Sequence, residues 1–130
     1  MNSEYAVDTM AVVLRLEKRK LSRKVKAIFE EAEKGSATLF VPAMVLAEIG
    51  YLSERNKIDT NLKDVKDYCL KNPTVQVEAI TEEIIHASFE IDDIPELHDR
   101  IIAGMARLKN LELITNDPMI IDSKFVATVW

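Results

Sequence analysis

The chain has 130 residues, 48% of them hydrophobic and 30% charged, with 17 Lys and Arg against 22 Asp and Glu for a net charge of −5. That length supports one core and one domain over residues 1–130, and 3 Gly with 4 Pro argue against a loop-rich or disordered chain. No apolar run approaches the roughly 18 residues of a membrane span, and no basic stretch leads into an apolar core at the N-terminus, so a cytoplasmic chain without membrane contact is expected.

Glu4 to Val7 reads as a short strand, followed at Asp8-Thr9 by a helix through about Leu16. Ser22 to Lys34 is helical, with Val25, Ile28, Phe29 and Ala32 on one stripe and Gly35 ending it. Ala37 to Val41 is a second strand. Pro42 opens a helix through about Arg55, and Asp59 or Thr60 is expected to cap another that stops at Asn72-Pro73. In this helix the lone Cys69 follows Leu62 and Val65 at buried-face spacing and is expected in the core. Thr74 to Ala79 is a β-branched strand, then Thr81-Glu82-Glu83 starts a helix whose inner face is Ile84, Ile85, Ser88 and Phe89. Pro95 opens the next helix, Leu111 to Thr115 is a fourth strand, Asn116-Asp117-Pro118 turns into a short helix, and Phe125 to Val129 is a last, edge strand. Strands separated by helices predict an α/β protein, a parallel sheet covered on both faces in three α/β/α layers.

Open sheets of this kind place their sites beyond the carboxyl ends of the strands. Asp8 falls just after strand one and Asp117 just after strand four. Asp99 shares a helical stripe with Ile102, Ala103 and Ala106, and Glu48 one with Met44, Val45, Tyr51 and Leu52, so both carboxylates lean toward apolar faces. Arg100 projects about 100° round the helix from Asp99 and is not its obvious partner. Each acid alone has a structural explanation: Asp8 and Asp117 as helix N-caps, Asp99 at a helix dipole, Glu48 against a distant cation. Together they point to a hard cation, Mg²⁺ or Mn²⁺, which prefers oxygen donors. Cys69, His86 and His98 offer no zinc spacing.

Residues 15 to 26 concentrate the positive charge. Arg15, Lys18, Arg19, Lys20, Arg23, Lys24 and Lys26 stand against Glu17 alone, a local +6 that leaves −11 elsewhere. A segment of this kind either forms a solvated corner or draws a polyanion to an otherwise acidic protein.

Tyr5-Ala6-Val7-Asp8-Thr9, Val41-Pro42-Ala43-Met44-Val45-Leu46-Ala47-Glu48, Leu97-His98-Asp99-Arg100-Ile101-Ile102-Ala103 and Leu113-Ile114-Thr115-Asn116-Asp117 resemble, in order, the acidic motifs of the PIN-domain nucleases. The spacing and the closing Thr128-Val129-Trp130 resemble the small prokaryotic branch that includes VapC-type toxins. The resemblance implies a five-stranded parallel sheet of order 3-2-1-4-5 and a Mg²⁺- or Mn²⁺-dependent endoribonuclease. It also implies a homodimer and, in the toxins, a cognate VapB-like antitoxin as partner beside the RNA substrate. Carried over by position, Asp8, Glu48, Asp99 and Asp117 match the catalytic acids. Asp8 and Asp99 would be the main metal ligands, with Asp117 and Glu48 completing the shell or orienting a water. Thr9 and Thr115 match the supporting hydroxyls, and Glu96 is a nearby acid that could hold an outer water. Met10 departs from the small polar residue common in relatives. His98 is expected to face solvent. A cation held by these acids would activate a water for attack on phosphorus and neutralise the leaving oxygen. Arg15, Lys18, Arg19, Lys20 and Arg23 would hold the RNA backbone. The rival readings are a PIN-fold RNA-processing nuclease without an antitoxin, a catalytically silent acidic-pocket binding module, and a phosphoacceptor receiver domain, which would need an acidic neighbour that Asp8 lacks.

Overall fold

The computed structural model describes residues 3–130. The chain runs β1 (Ser3–Val7), α1 (Thr9–Leu16), α2 (Arg23–Glu33), β2 (Ala37–Pro42), α3 (Ala43–Glu54), α4 (Leu62–Lys71), β3 (Val75–Glu78), α5 (Glu82–Phe89), α6 (Leu97–Lys109), β4 (Glu112–Ile114), α7 (Pro118–Ile121) and β5 (Thr128–Val129). The five strands form one parallel sheet in the order β3-β2-β1-β4-β5. Each parallel connection needs a crossover, and right-handedness sends the β1-to-β2 and β2-to-β3 helices to one face and the later ones to the other. This three-layer α/β arrangement is the expected one.

Register sets where the functional ends lie. Ala6 pairs with Phe40 and Val7 with Ile114, so the central strands β1 and β4 finish level. The Asp8 amide then donates to the Ile114 carbonyl at 3.1 Å, which sets Asp8 beside Thr115. Both faces of the central strands are apolar, as covered sheets require: Ala6, Val7, Leu113 and Ile114 are fully buried. The predicted α2 stripe of Val25, Ile28, Phe29 and Ala32 is buried, and Gly35 ends that helix at φ +86°, a conformation that costs glycine little. Gly104 lets α6 lie directly on α5. A Cβ there would sit 2.0 Å from Ser88 Oγ and 2.8 Å from Ser88 Cα, so the helix carrying Asp99 is held at a spacing only glycine permits.

Several local expectations are corrected. The cap of α4 is Asn61, in a reciprocal capping box with Asp64, and not Asp59 or Thr60. Those two residues instead bind Glu17: its Oε2 accepts from the Asp59 amide at 3.0 Å, the Thr60 amide at 2.9 Å and the Thr60 hydroxyl at 2.7 Å. Phe89 is 57% exposed and lies under the Arg100 guanidinium, while Ala87 takes the inner position. Cys69 is half-buried in an apolar groove with Leu46, Leu62, Leu70 and Val77, because α4 covers an edge strand and lacks a layer outside it. The edge strand β5 keeps only two residues of the five expected, since it pairs on one side alone. Helix α6 begins at Leu97 with Glu96 as its cap, so Pro95 precedes the helix instead of opening it.

Candidate active site

All four predicted acids lie at the carboxyl end of the sheet, and local backbone requirements put them there. Asp8 follows β1 as the N-cap of α1, accepting from the Ala11 amide at 3.0 Å, and is 7% exposed. Asp117 follows β4 as the N-cap of α7, accepting from the Met119 amide at 2.9 Å, with Pro118 at the first helical position. The cap explanation and the site explanation therefore hold at once. Capping is how the chain aims these two side chains upward from the strand ends.

Glu48 reaches the cluster from α3. The Thr9 hydroxyl donates to its Oε1 at 2.5 Å, and His98 Nδ1 stands 3.8 Å from its Oε2. Asp99 sits in the first turn of α6, half-buried above Ile102, Ala103 and Ala106, all of which are buried as the stripe predicted. Glu96 accepts from the Asp99 amide at 2.7 Å and lies 3.2 Å from His98 Nδ1 through its other oxygen. Thr115 is fully buried, and its Oγ1 accepts from the Asp117 amide at 3.1 Å. Arg100 turns away from Asp99, as the helical geometry requires, and its Nε donates to the Ile94 carbonyl at 2.7 Å.

The electrostatics show an uncompensated concentration of negative charge. Burial raises the Asp8 carboxyl to about 6, with Asp117 and Glu48 adding to the rise and hydrogen bonds from Thr115 and the Ala11 amide opposing it. Desolvation, then repulsion from Asp117, Glu96, Glu48 and Asp8, raises Asp99 to about 7. No Lys or Arg forms an ion pair with any of these acids among the described residues. A divalent cation fits this donor set, which is all oxygen and short of positive charge. The carboxylates are near enough to repel one another, yet among the described residues no three His, Cys, Asp or Glu are gathered closely enough to form a coordination shell. The physical reason lies in the caps and in repulsion, since Asp8 and Asp117 are each turned onto a helix amide and like charges keep apart.

Residues 5–125 match the family model of the PIN domain. The chain belongs to the PIN domain family. All the acids and both threonines described above fall inside the matched span. PIN domains are a nuclease family. No curated protein matches the sequence at a significant level. Solved structures with this fold include VapBC2 from Rickettsia felis bound to a DNA fragment from its promoter, at TM-score 0.72 and 18% identity over 98% of each chain. The DNA-bound VapBC of Salmonella typhimurium aligns at TM-score 0.70 and 14% identity, over 99% of this chain and 98% of that one. VapC20 of Mycobacterium tuberculosis, a toxin that cleaves the sarcin-ricin loop, aligns at TM-score 0.65 and 17% identity, over 95% of this chain and 97% of that one.

His98 of this PIN domain is exposed, as expected, and also turns between Glu48 and Glu96. The signal was local: the capping Glu96 lies two residues before it, and a first-turn histidine can reach back to a cap. Arg15, expected to hold RNA, lies at the far end of α1 and donates from Nε and Nη2 to the two Glu33 oxygens at 2.9 and 2.6 Å. It and the neighbouring Lys18, Arg19 and Lys20 line a region at the amino ends of the strands, away from the acids.

Proposed function

We propose that this PIN domain is a divalent-metal-dependent endoribonuclease acting in the cytoplasm, and the toxin of a type II toxin–antitoxin pair. The observation that carries the reading is the raised pair Asp8 and Asp99 inside a cluster that no cationic side chain neutralises. Carboxylates of one core arranged only for stability would be expected to meet a cation, whereas these repel one another and hold protons near neutral pH.

Asp8, Asp99 and Asp117 hold Mg²⁺ or Mn²⁺ in this reading. When bound, the ion supplies an activated water and charge neutralisation at the leaving oxygen. The protein's own part is positioning. Thr9 fixes one oxygen of Glu48, and the other, 3.8 Å from His98 Nδ1, would orient the attacking water and accept its proton. Thr115 holds the Asp117 backbone and opposes the rise at Asp8, so the two strand-end acids are set by one hydroxyl. Glu96 keeps the first turn of α6, and with it Asp99, in place.

The partner reading is supported by the VapBC complexes among the similar folds. An antitoxin Arg or Lys inserted among the four acids would replace the metal's charge in a partly dry site. Co-expression with its operon neighbour is expected to yield a stable, nuclease-inactive complex, and the free protein a homodimer by light scattering. The deciding experiment is RNA cleavage by purified protein with Mg²⁺, Mn²⁺ or chelator, beside Asp99→Asn. Metal-dependent cleavage lost in the variant is the expected result. Cleavage of equal rate in the chelator, or in the variant, would refute the assignment.

A further inference from the structure

The basic segment does not border the acids, and its actual position implies a different use. Helix α1 leaves Asp8 at the carboxyl end of the sheet, and its eight residues carry the chain about 12 Å toward the amino end. There the last turns of α1 and α4 and both ends of α2 meet around a cavity of about 830 Å³ whose lining includes Lys18, Lys20, Lys26, Tyr68 and Lys71. That volume lies within the range of ligand-binding clefts.

Charge in this cavity is as one-sided as in the acidic cluster, with the opposite sign. Glu33 is the one carboxylate of the lining, and Arg15 and the Tyr68 hydroxyl already occupy it. Arg19 is paired with Glu17 at 3.4 Å. Lys18, Lys20, Lys26 and Lys71 are exposed and have no ion-pair partner among the described residues. Lys71 stands in the last turn of α4, where a cation balances the helix dipole. That structural explanation extends to Lys18, just past the end of α1, but not to Lys20, further along the connection, nor to Lys26, in the first half of α2. Three like charges around one cleft cost stability through their repulsion, and the chain places them there although it is acidic overall.

We propose that this cleft is a second contact for the RNA substrate, holding the sugar-phosphate backbone of the segment that extends past the acidic end while the scissile phosphate lies at Asp8 and Asp99. The inference rests on the ribonuclease reading above. Ammonium groups spread round an open cleft, with no fork aimed at one point, suit a row of phosphates better than a single small anion. The two regions stand at least the length of α1, about 12 Å, apart, which is further than the two nucleotides flanking one scissile phosphate can reach. A dinucleotide cannot occupy both, whereas a longer RNA can. Recognition of this kind reads shape and backbone, in keeping with the scarcity of aromatic residues for stacking.

The test compares two fluorescein-labelled probes, a 24-nucleotide RNA hairpin and the dinucleotide UpU, on wild type and on Lys18→Ala/Lys20→Ala/Lys26→Ala. The triple variant is expected to bind the hairpin about tenfold more weakly, with a salt slope lower by about 2, because three phosphate contacts release fewer counterions. Its binding of UpU, and its cleavage of UpU at saturation, should match wild type. The Lys→Arg triple should restore hairpin affinity, which separates lost charge from lost folding. Unchanged hairpin binding, or an equal loss on both probes, would overturn the proposal. So would tight, Lys-dependent binding of a poly-Glu peptide that leaves hairpin affinity unaltered, which would make the cleft a protein contact. Failure of the ribonuclease reading is a separate result: wild type would then cleave neither RNA with Mg²⁺, whatever its binding.

Discussion

The two ends of the sheet hold charge in opposite ways. At the carboxyl end, Asp8, Glu48, Asp99 and Asp117 have backbone amides, the Thr9 and Thr115 hydroxyls and His98 as neighbours, and two of them are pushed up to about 6 and about 7. At the amino end, Glu33 receives Arg15 and Tyr68, and Glu17 receives Asp59, Thr60 and Arg19, so both carboxyls lie below their ordinary value although burial works against them. One end has carboxylates whose charge no Lys or Arg neutralises among the described residues, the other carboxylates paired with arginines. The contrast separates acids kept for chemistry from acids kept for cohesion, and substitutions at the two ends should move activity and stability in opposite directions.

The largest effect is expected from Asp99→Asn. RNA cleavage should fall on the order of 100-fold or more, about 3 kcal/mol of transition-state stabilisation. The metal-free protein should melt at the same temperature as wild type or higher, because a repelled charge is gone. Single-turnover cleavage and thermal melting check this together. A variant that melts several degrees lower yet cleaves at the wild-type rate would make Asp99 a structural residue.

At the other end, Arg15→Met should leave saturated cleavage unchanged and lower stability by about 1–3 kcal/mol, since it strands Glu33 in a half-buried site. Urea unfolding with cleavage at saturating RNA measures both. Loss of the saturated rate would place Arg15 in the chemistry and erase the contrast.

The pH dependence of the metal-free protein should follow the acidic end. Asp8 and Asp99 hold protons in the fold at pH values where the unfolded chain, near 3.8, has released them. Stability therefore rises as pH falls from about 7 toward 4 and is lost as pH rises through the same window. Melting should occur a few degrees higher at pH 5.5 than at pH 8, and Asp99→Asn should reduce that difference. Mg²⁺, which needs the ionised form, should raise the melting temperature more at pH 8 than at pH 5.5. A melting temperature that increases with pH in the chelator would show that the acids are not mutually strained.

The smallest effect is expected at Glu17→Gln, which loses charge-assisted hydrogen bonds to the Asp59–Thr60 segment but keeps a neutral acceptor. A loss within about 1 kcal/mol by urea unfolding is expected, with cleavage unaltered. A change of activity there would mean that the α3–α4 connection takes part in substrate handling.

Much of this protein is decided within short stretches of chain. Helix and strand periodicity, Gly35, Asn72-Pro73 and Asn116-Asp117-Pro118 are local signals, and they placed the elements, the parallel sheet and the four acids at one end of it. Cap positions and strand ends depend on neighbours within a few residues, which is why Asp8 and Asp117 were legible. Tertiary structure alone decided the rest. The pairing of Val7 with Ile114 put Asp8 beside Thr115, and Thr60 became a ligand of Glu17 across 43 residues. Cys69 was left in an open groove because periodicity names a helix face but not what covers it. The basic segment shows the limit best. Its charge is plain in the sequence, but the direction and length of α1 carried it to the end of the sheet opposite the acids.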